Sequence, residues 1–302
     1  MRIVIWLVRL ILAVVVIVVV ALGVVYALSA RRINKTYDVQ PASLSISTDE
    51  TSVARGQHIA TVRGCMDCHG AGAGGAIFMD AAPVFARISA SNLTSGKGGI
   101  GSSYSDADWV RSIRHGIGPD QKSLLFMPSA EFAIMSEQDL ADLIAYLKSL
   151  PAKDSDLPPN SVGPIARILT LAGQFPLLPA EEVDHKAAIP GGTPTGVSLE
   201  HGEYLAITCT GCHGTGLSGG PIPGSFASDP VPANLTPDPA TGLGNWSETD
   251  FYKAMREGQT PEGKTLDPFM PWQSITSKMT DEELSSLWLY LQSLPAQPKG
   301  GR

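Results

Sequence analysis

All four cysteines of the chain fall in two copies of one short pattern. Cys65-Met66-Asp67-Cys68-His69-Gly70 returns as Cys209-Thr210-Gly211-Cys212-His213-Gly214. Two thiols separated by two residues can both reach one porphyrin edge and form thioethers to its vinyl groups. The histidine that follows then lies under the iron as proximal ligand, the arrangement of a c-type haem attachment site. A zinc site would need its two pairs close in sequence, whereas these lie far apart and each precedes a histidine. A thioredoxin-type dithiol would need a βαβ setting, and none is legible. Two haem c groups, attached at Cys65/Cys68 and Cys209/Cys212 with His69 and His213 as iron ligands, use every cysteine.

The elements that position these residues are also duplicated. Asn92-Leu93-Thr94 returns as Asn234-Leu235-Thr236, and Phe126-Met127-Pro128 as Phe269-Met270-Pro271. Tyr104 to Trp109 corresponds to Trp246 to Phe251, and Tyr146 to Ala152 corresponds to Tyr290 to Ala296. Two repeats are too few for a solenoid, so the pattern reads as a duplicated domain. Each copy reads as helical. Ser136 and Thr280 open capping-box patterns. Leu140, Leu143, Ile144 and Leu147 form one helix face, as do Leu284, Leu287, Trp288 and Leu291. Pro151 and Pro295 end these helices. A middle helix runs from Ser105 to Gly116 and from Ser247 to Gly258, and a further helix leads into each cysteine motif. No run reads as a strand. The boundaries are 1–35 for an N-terminal segment, 52–152 and 200–297 for the two copies, and 153–199 for a proline-rich linker. The apolar part of the linker should pack on one of the copies.

Residues 10–28 contain no charged side chain, enough to cross the roughly 30 Å apolar core of a bilayer. A cleaved signal peptide is the alternative, with Ala27 and Ser29 as a small-residue cleavage site. The run exceeds the usual 7–15-residue apolar core of such peptides, so a retained membrane anchor is expected. With 22 basic against 29 acidic residues and a net charge of −7, the chain is not a nucleic-acid binder. Gly70 to Gly75 and Gly214 to Gly219 satisfy G-x-G-x-x-G. Neither follows a strand, so both are loops rather than dinucleotide sites. No Ser–His–Asp or paired-carboxylate arrangement stands out, and no catalytic residue is assigned.

Across most of residues 52–297 the chain resembles class I c-type cytochromes. The segments Asn234 to Asp238 and Gly244 to Ser247, together with Met270-Pro271, are similar to cytochrome c subunits of membrane-bound alcohol and sugar dehydrogenases. Those subunits commonly carry three haem motifs, and this chain has two. The resemblance implies an all-α fold, here an N-terminal transmembrane helix followed by two tandem class I cytochrome c domains. It also implies a methionine as second axial ligand. Met127 and Met270, each followed by proline, match that pattern, with Met79, Met135 and His115, or Met255 and Met279, as alternatives. Arg114 and Arg256 end the middle helices, either as partners of haem propionates or as ordinary terminal arginines. The expected function is electron transfer between a dehydrogenase or quinol-oxidising complex and a terminal oxidase or soluble cytochrome. A dihaem peroxidase is the alternative. Because haem c is attached outside the cytoplasm, the haem domains should face the periplasm from a single-pass anchor in the cytoplasmic membrane.

Overall fold

The computed structural model describes residues 1–223, 225 and 228–301. Helix α1 spans Arg2–Ile33. In the first copy, α2 (Glu50–Val62), α3 (Cys65–His69), α4 (Asp106–His115), α5 (Ser129–Phe132) and α6 (Glu137–Ser149) follow. The linker holds α7 (Pro164–Leu171). The second copy comprises α8 (Leu199–His213), α9 (Glu248–Glu257) and α10 (Asp281–Ser293).

The middle helices start and stop where their caps dictate. Ser105 and Ser247 each accept from the backbone N–H three residues on, and Asp108 and Asp250 return the bond. Both helices end at a glycine in the left-handed region, Gly116 (φ 64°) and Gly258 (φ 69°), which tolerates it without a Cβ clash. Within each copy the first and last helices cross closely at a glycine. A Cβ at Gly56 would collide with the Asp142 carbonyl of α6, and one at Gly202 with the Ser286 carbonyl of α10. This crossing buries Ile59, Leu140, Leu143, Ile144 and Leu147 with Trp109 and Ile113 in one core. Leu205, Leu284, Leu287 and Leu291 pack with Phe251 in the other. Removing one such leucine side chain costs about 2–5 kcal/mol.

The two copies differ where the first helix meets the motif. Cys65 lies nine residues after Gly56, but Cys209 lies only seven after Gly202. The extra length in the first copy is taken up at Gly64, whose φ of 69° breaks α2 from α3. Helix α8 instead continues through its motif to His213.

The chain is mostly helical as expected, but the expectation that no run forms a strand needs correction. Strands β1 (Ala76–Asp80), β2 (Ala86–Ala90) and β3 (Ser161–Val162) form an antiparallel sheet in the order β1-β2-β3. Its register pairs Ala76 with Ala90 and Asp80 with Arg87, with a bulge around Phe78. The strands are short and alanine-rich, and the bulge interrupts the alternation, so the period-2 signal is weak. In the second copy Pro221, Pro223, Pro230 and Pro232 occupy the matching stretch, where they would remove ladder donors. The linker is structured too. Ala166 of α7 and Phe175, Leu177 and Leu178 pack on Ala86 and Ile88 of β2, forming a third small core against the first copy.

Candidate functional site

In the first copy one cavity is lined by Cys65, Cys68, His69 and Met127, with Phe78, Tyr104, Trp109, Phe126, Leu143 and Leu147 around them. The structure therefore brings together residues that are 62 positions apart in sequence. The alternatives lie elsewhere. Met135 is fully buried in the first core, Met79 packs on the sheet, and His115 faces His185 at 3.2 Å between their Nδ1 atoms.

His69 donates from Nδ1 to the Ser91 carbonyl at 2.7 Å. A carbonyl can only accept, so the proton sits on Nδ1 and the Nε2 lone pair is free for a metal. Burial also lowers the His69 pKa, favouring the neutral ring. His213 makes the same bond to the Ala233 carbonyl, also at 2.7 Å.

Those two carbonyls are held by the residues that follow them. Asn92 accepts from the Thr94 N–H and hydroxyl at 2.9 and 2.8 Å, and donates to the Lys153 carbonyl at 2.6 Å. Asn234 repeats this with Thr236 (3.0 and 2.8 Å) and the Gln297 carbonyl (2.7 Å). The Asn-Leu-Thr repeat is thus a clasp between the loop that orients each histidine and the chain leaving the last helix. Sequence reasoning found the repeat but gave it no role. The glycine-rich loops also have a structural role: Gly75 and Gly219 donate back to the carbonyls of His69 and His213, each at 2.8 Å.

The methionine segments share one backbone turn. Ser129 N–H reaches the Met127 carbonyl, and Trp272 N–H reaches the Met270 carbonyl, both at 2.8 Å. Met270 packs against the second core, while Met255 and Met279 are buried within it. Arg114 and Arg256 do not line the first cavity. Arg114 donates to the Ala133 carbonyl and to Ala187 and Ala188 of the linker (2.9 and 3.2 Å). Arg256 donates to the Ser277 carbonyl and to Asp281, both at 2.8 Å. Both arginines brace the segment that follows the methionine.

Burial pushes the Cys65 and Cys209 thiols up to about 12. Neither resembles an activated thiolate, which weighs against redox-dithiol chemistry. Trp109 carries a buried indole N–H without a partner and lines the first cavity. A haem fits this donor set: two thiols for the porphyrin edge, imidazole and thioether for the iron, and an orphaned N–H for a polar substituent. Phe251 occupies the corresponding place in the second copy, so that copy offers no such donor there.

The copies meet through a pseudo-two-fold interface. Helix α5 of the first packs on α8 of the second, and α2 packs on the 3-10 turn Thr276–Lys278. His58 of α2 bonds Glu283 of α10 at 2.8 Å, and Tyr204 of α8 donates to Asp139 of α6 at 2.6 Å. These are matching positions with the copies exchanged. Likewise Ser274 donates to Asp67 at 3.1 Å, while Glu131, at the place matching Ser274, closes on Gly211, at the place matching Asp67. Each attachment motif therefore faces the methionine segment of the other copy.

Comparison with known proteins gives the family. The cytochrome c family model matches residues 53–151 and 200–295, one match per copy. The chain is 28% identical over 301 residues to the alcohol dehydrogenase (quinone) cytochrome c subunit of Gluconacetobacter polyoxogenes, covering 89% of this chain and 63% of that protein. It is 28% identical to the gluconate 2-dehydrogenase cytochrome c subunit of Pantoea cypripedii, covering 82% and 61%. It is 29% identical to a diheme c-type cytochrome of Cereibacter sphaeroides, covering 66% and 68%. The chain thus spans about three-fifths of the length of the dehydrogenase subunits. It belongs to the cytochrome c family, whose domains carry covalently bound haem c and transfer electrons.

Proposed function

We propose that the chain is a membrane-anchored dihaem cytochrome c. It takes electrons from a dehydrogenase or quinol-oxidising complex and passes them to a terminal oxidase or soluble cytochrome. The observation that carries this reading is the convergence of Cys65, Cys68, His69 and Met127 on one apolar cavity. Haem c supplies a one-electron iron couple there. The chain does the rest. Cys65/Cys68 and Cys209/Cys212 would hold the two porphyrins, and His69 and His213 would offer Nε2 to the iron. Met127 and Met270 would supply a thioether as the second iron ligand, which would raise the potential. The pseudo-two-fold interface joins the flanks of the two motifs, since Arg63 bonds Thr208, and so offers a route for electrons within one chain.

The relatives' names support a partner of the alcohol or sugar dehydrogenase kind. Retention of α1 is supported by its docked end. Ser29 is buried and accepts from Arg167 at 2.8 Å, and Arg32 donates to the Thr170 carbonyl at 2.7 Å. Cleavage after residue 29 would discard the first of these contacts. Because haem c is attached outside the cytoplasm, this reading has the two domains facing the periplasm. The geometry gives the peroxidase alternative no support, because both copies hold their methionine on the same turn and a peroxidase needs one open iron.

The experiment is ligand replacement. Met127→His and Met270→His should each remove part of the far-red sulfur-to-iron charge-transfer absorption of the oxidised protein and lower one midpoint potential. An unchanged spectrum and potential in Met270→Ala would assign the ligand elsewhere.

A further inference from the structure

The foot of the anchor is not a bare helix end. The turn between β1 and β2 lies beside Tyr26, and the two enclose a cleft with Ala82, Pro83, Arg87 and Gly163. That turn is flush with the start of α7: Ile165 N–H reaches the Val84 carbonyl at 3.2 Å. A Cβ at Gly163 would collide with the carbonyls of Pro83 and Val84. Helix α7 then runs beside α1. Arg167 donates to Ser29 and stacks over the Tyr26 ring at 4.5 Å, and Thr170 meets Arg32.

These contacts fix depth. Tyr26 lies within the uncharged run, about 3 Å below its end at Leu28 along the helix axis. The β1–β2 turn and the first turn of α7 are therefore level with the last apolar residues of the anchor. Three large apolar side chains stand free at that level: Val84 (53% exposed), Ile165 (44%) and Ile168 (45%). Single exposed apolar residues are ordinary, but Val84 adjoins Ile165 through their backbone bond, and Ile168 follows one helical turn on. All three belong to elements packed beside the exposed apolar run of α1. Just above them are Arg31, Arg32 and Lys35, and Arg167 reaches over Tyr26. Tyrosine and snorkelling cations at this level match a bilayer interface.

We infer that Val84, Ile165 and Ile168 form a membrane-docking face that seats the first haem domain on the bilayer surface. This rests on the retained-anchor reading. The occupant is lipid because the face continues the apolar surface of the anchor at the depth where its uncharged run ends. One consequence concerns the first site. Strand β1 rises from this turn to Phe78, which lines the first cavity, so a few residues of strand separate that cavity from the lipid level. The first copy thereby becomes the membrane-side terminal of the electron path, with a fixed height rather than a free tether.

The test uses the full-length holoprotein in phosphatidylcholine–phosphatidylglycerol vesicles, kept reduced. Because the four native cysteines are held in thioethers, single introduced thiols can be labelled with a nitroxide. Val84→Cys and Ile168→Cys report the face, Val18→Cys reports the anchor, and Asp106→Cys, an exposed position on α4, is the aqueous reference. Collision with oxygen relative to an aqueous nickel chelate measures depth. At Val84 and Ile168 the ratio should be several-fold above that at Asp106 and below that at Val18. A lipid signal at Val18 with aqueous values at Val84 and Ile168 would overturn the docking face and leave the anchor standing. An aqueous or cleaved Val18 would remove the anchor, and the face with it. Labels at Val84 and Ile168 that are aqueous in vesicles but shielded from both reagents in native membranes would assign the face to a protein partner instead.

Discussion

Arg63, two residues before the first attachment cysteine, donates to the hydroxyl of Thr208, the residue before Cys209, at 2.6 Å. The same guanidinium stacks on Tyr204 at 4.8 Å, donates to the Tyr204 carbonyl at 3.2 Å, and lines the first cavity. One buried side chain thus joins the two motifs. Arg63→Ala should remove about 1.5–3 kcal/mol of stability, the range for hydrogen bonds to a charged group. It should also slow electron equilibration between the two haems. Denaturant unfolding gives the first quantity and flash-induced reduction of one haem gives the second. Unchanged values in both would mean that Arg63 does not couple the two motifs.

The asparagine clasps make a second expectation. Asn234→Ala would leave the Gln297 carbonyl and the Thr236 hydroxyl short of partners in a buried place, a loss of about 1–3 kcal/mol. It should also loosen the Ala233 carbonyl that orients His213, moving that haem's potential while leaving the other in place. A redox titration that resolves two waves would show one displaced. Equal displacement of both, or of neither, would argue against the clasp.

The His58–Glu283 bridge should make the interface depend on pH. Glu283 holds the His58 pKa above 6.5, although burial opposes it. Burial pushes Glu283 up, but bonds from His58 and Thr280 bring it below 4.5 overall. The histidine part of the stabilisation is complete below 6.5 and fades as pH rises through the raised value. The carboxylate part is complete above 4.5 and fades as pH falls through the lowered value. The stability difference between the protein and His58→Gln should therefore be largest between 4.5 and 6.5 and shrink on either side. A difference that stays flat from pH 4 to 9 would contradict this assignment.

Charge is unevenly divided. Residues 200–296 carry four basic against twelve acidic side chains, and residues 55–152 carry eight against nine. Folding does not demand such a bias between two copies of one domain, whereas encounter with a basic partner would use it. Not every acid is available: Glu283 is committed to His58, and Asp281 to Arg256. Neutralising the exposed Glu203, Glu257 and Glu262 should slow electron transfer to a basic soluble cytochrome at low salt and flatten its salt dependence. Neutralising Asp106, Asp120 and Glu137 should do less. Equal effects of the two sets would make the acidic bias a solvated surface.

Much of this was legible because the chain states it twice. The cysteine motifs, the Met-Pro pairs and the caps at Ser105, Ser247 and Thr280 all recur at matched positions, and the helices form where those caps place them. The sheet was hidden because its strands are short and bulged at Phe78. Ser136 shows another limit. It caps α6, but Asp139 does not return the bond to its backbone; it accepts instead from Tyr204 and Thr193, at 2.6 and 2.7 Å. That commitment belongs to the interface and the linker, which no local pattern encodes. Arg114 and Arg256 are similar, since each reaches a backbone carbonyl of the segment after the methionine, which has no residue signature. The unpartnered N–H of Trp109 is visible only in three dimensions.

The most direct measurement is the intact mass of the protein purified from membranes in mild detergent, taken after acid-acetone extraction. Two thioether-bound haems predict a mass equal to the polypeptide plus two haems, unchanged by extraction, and lowered by one haem when Cys209 and Cys212 are both replaced by alanine. A mass with one haem or none, or haem that leaves with the solvent, would contradict the dihaem assignment.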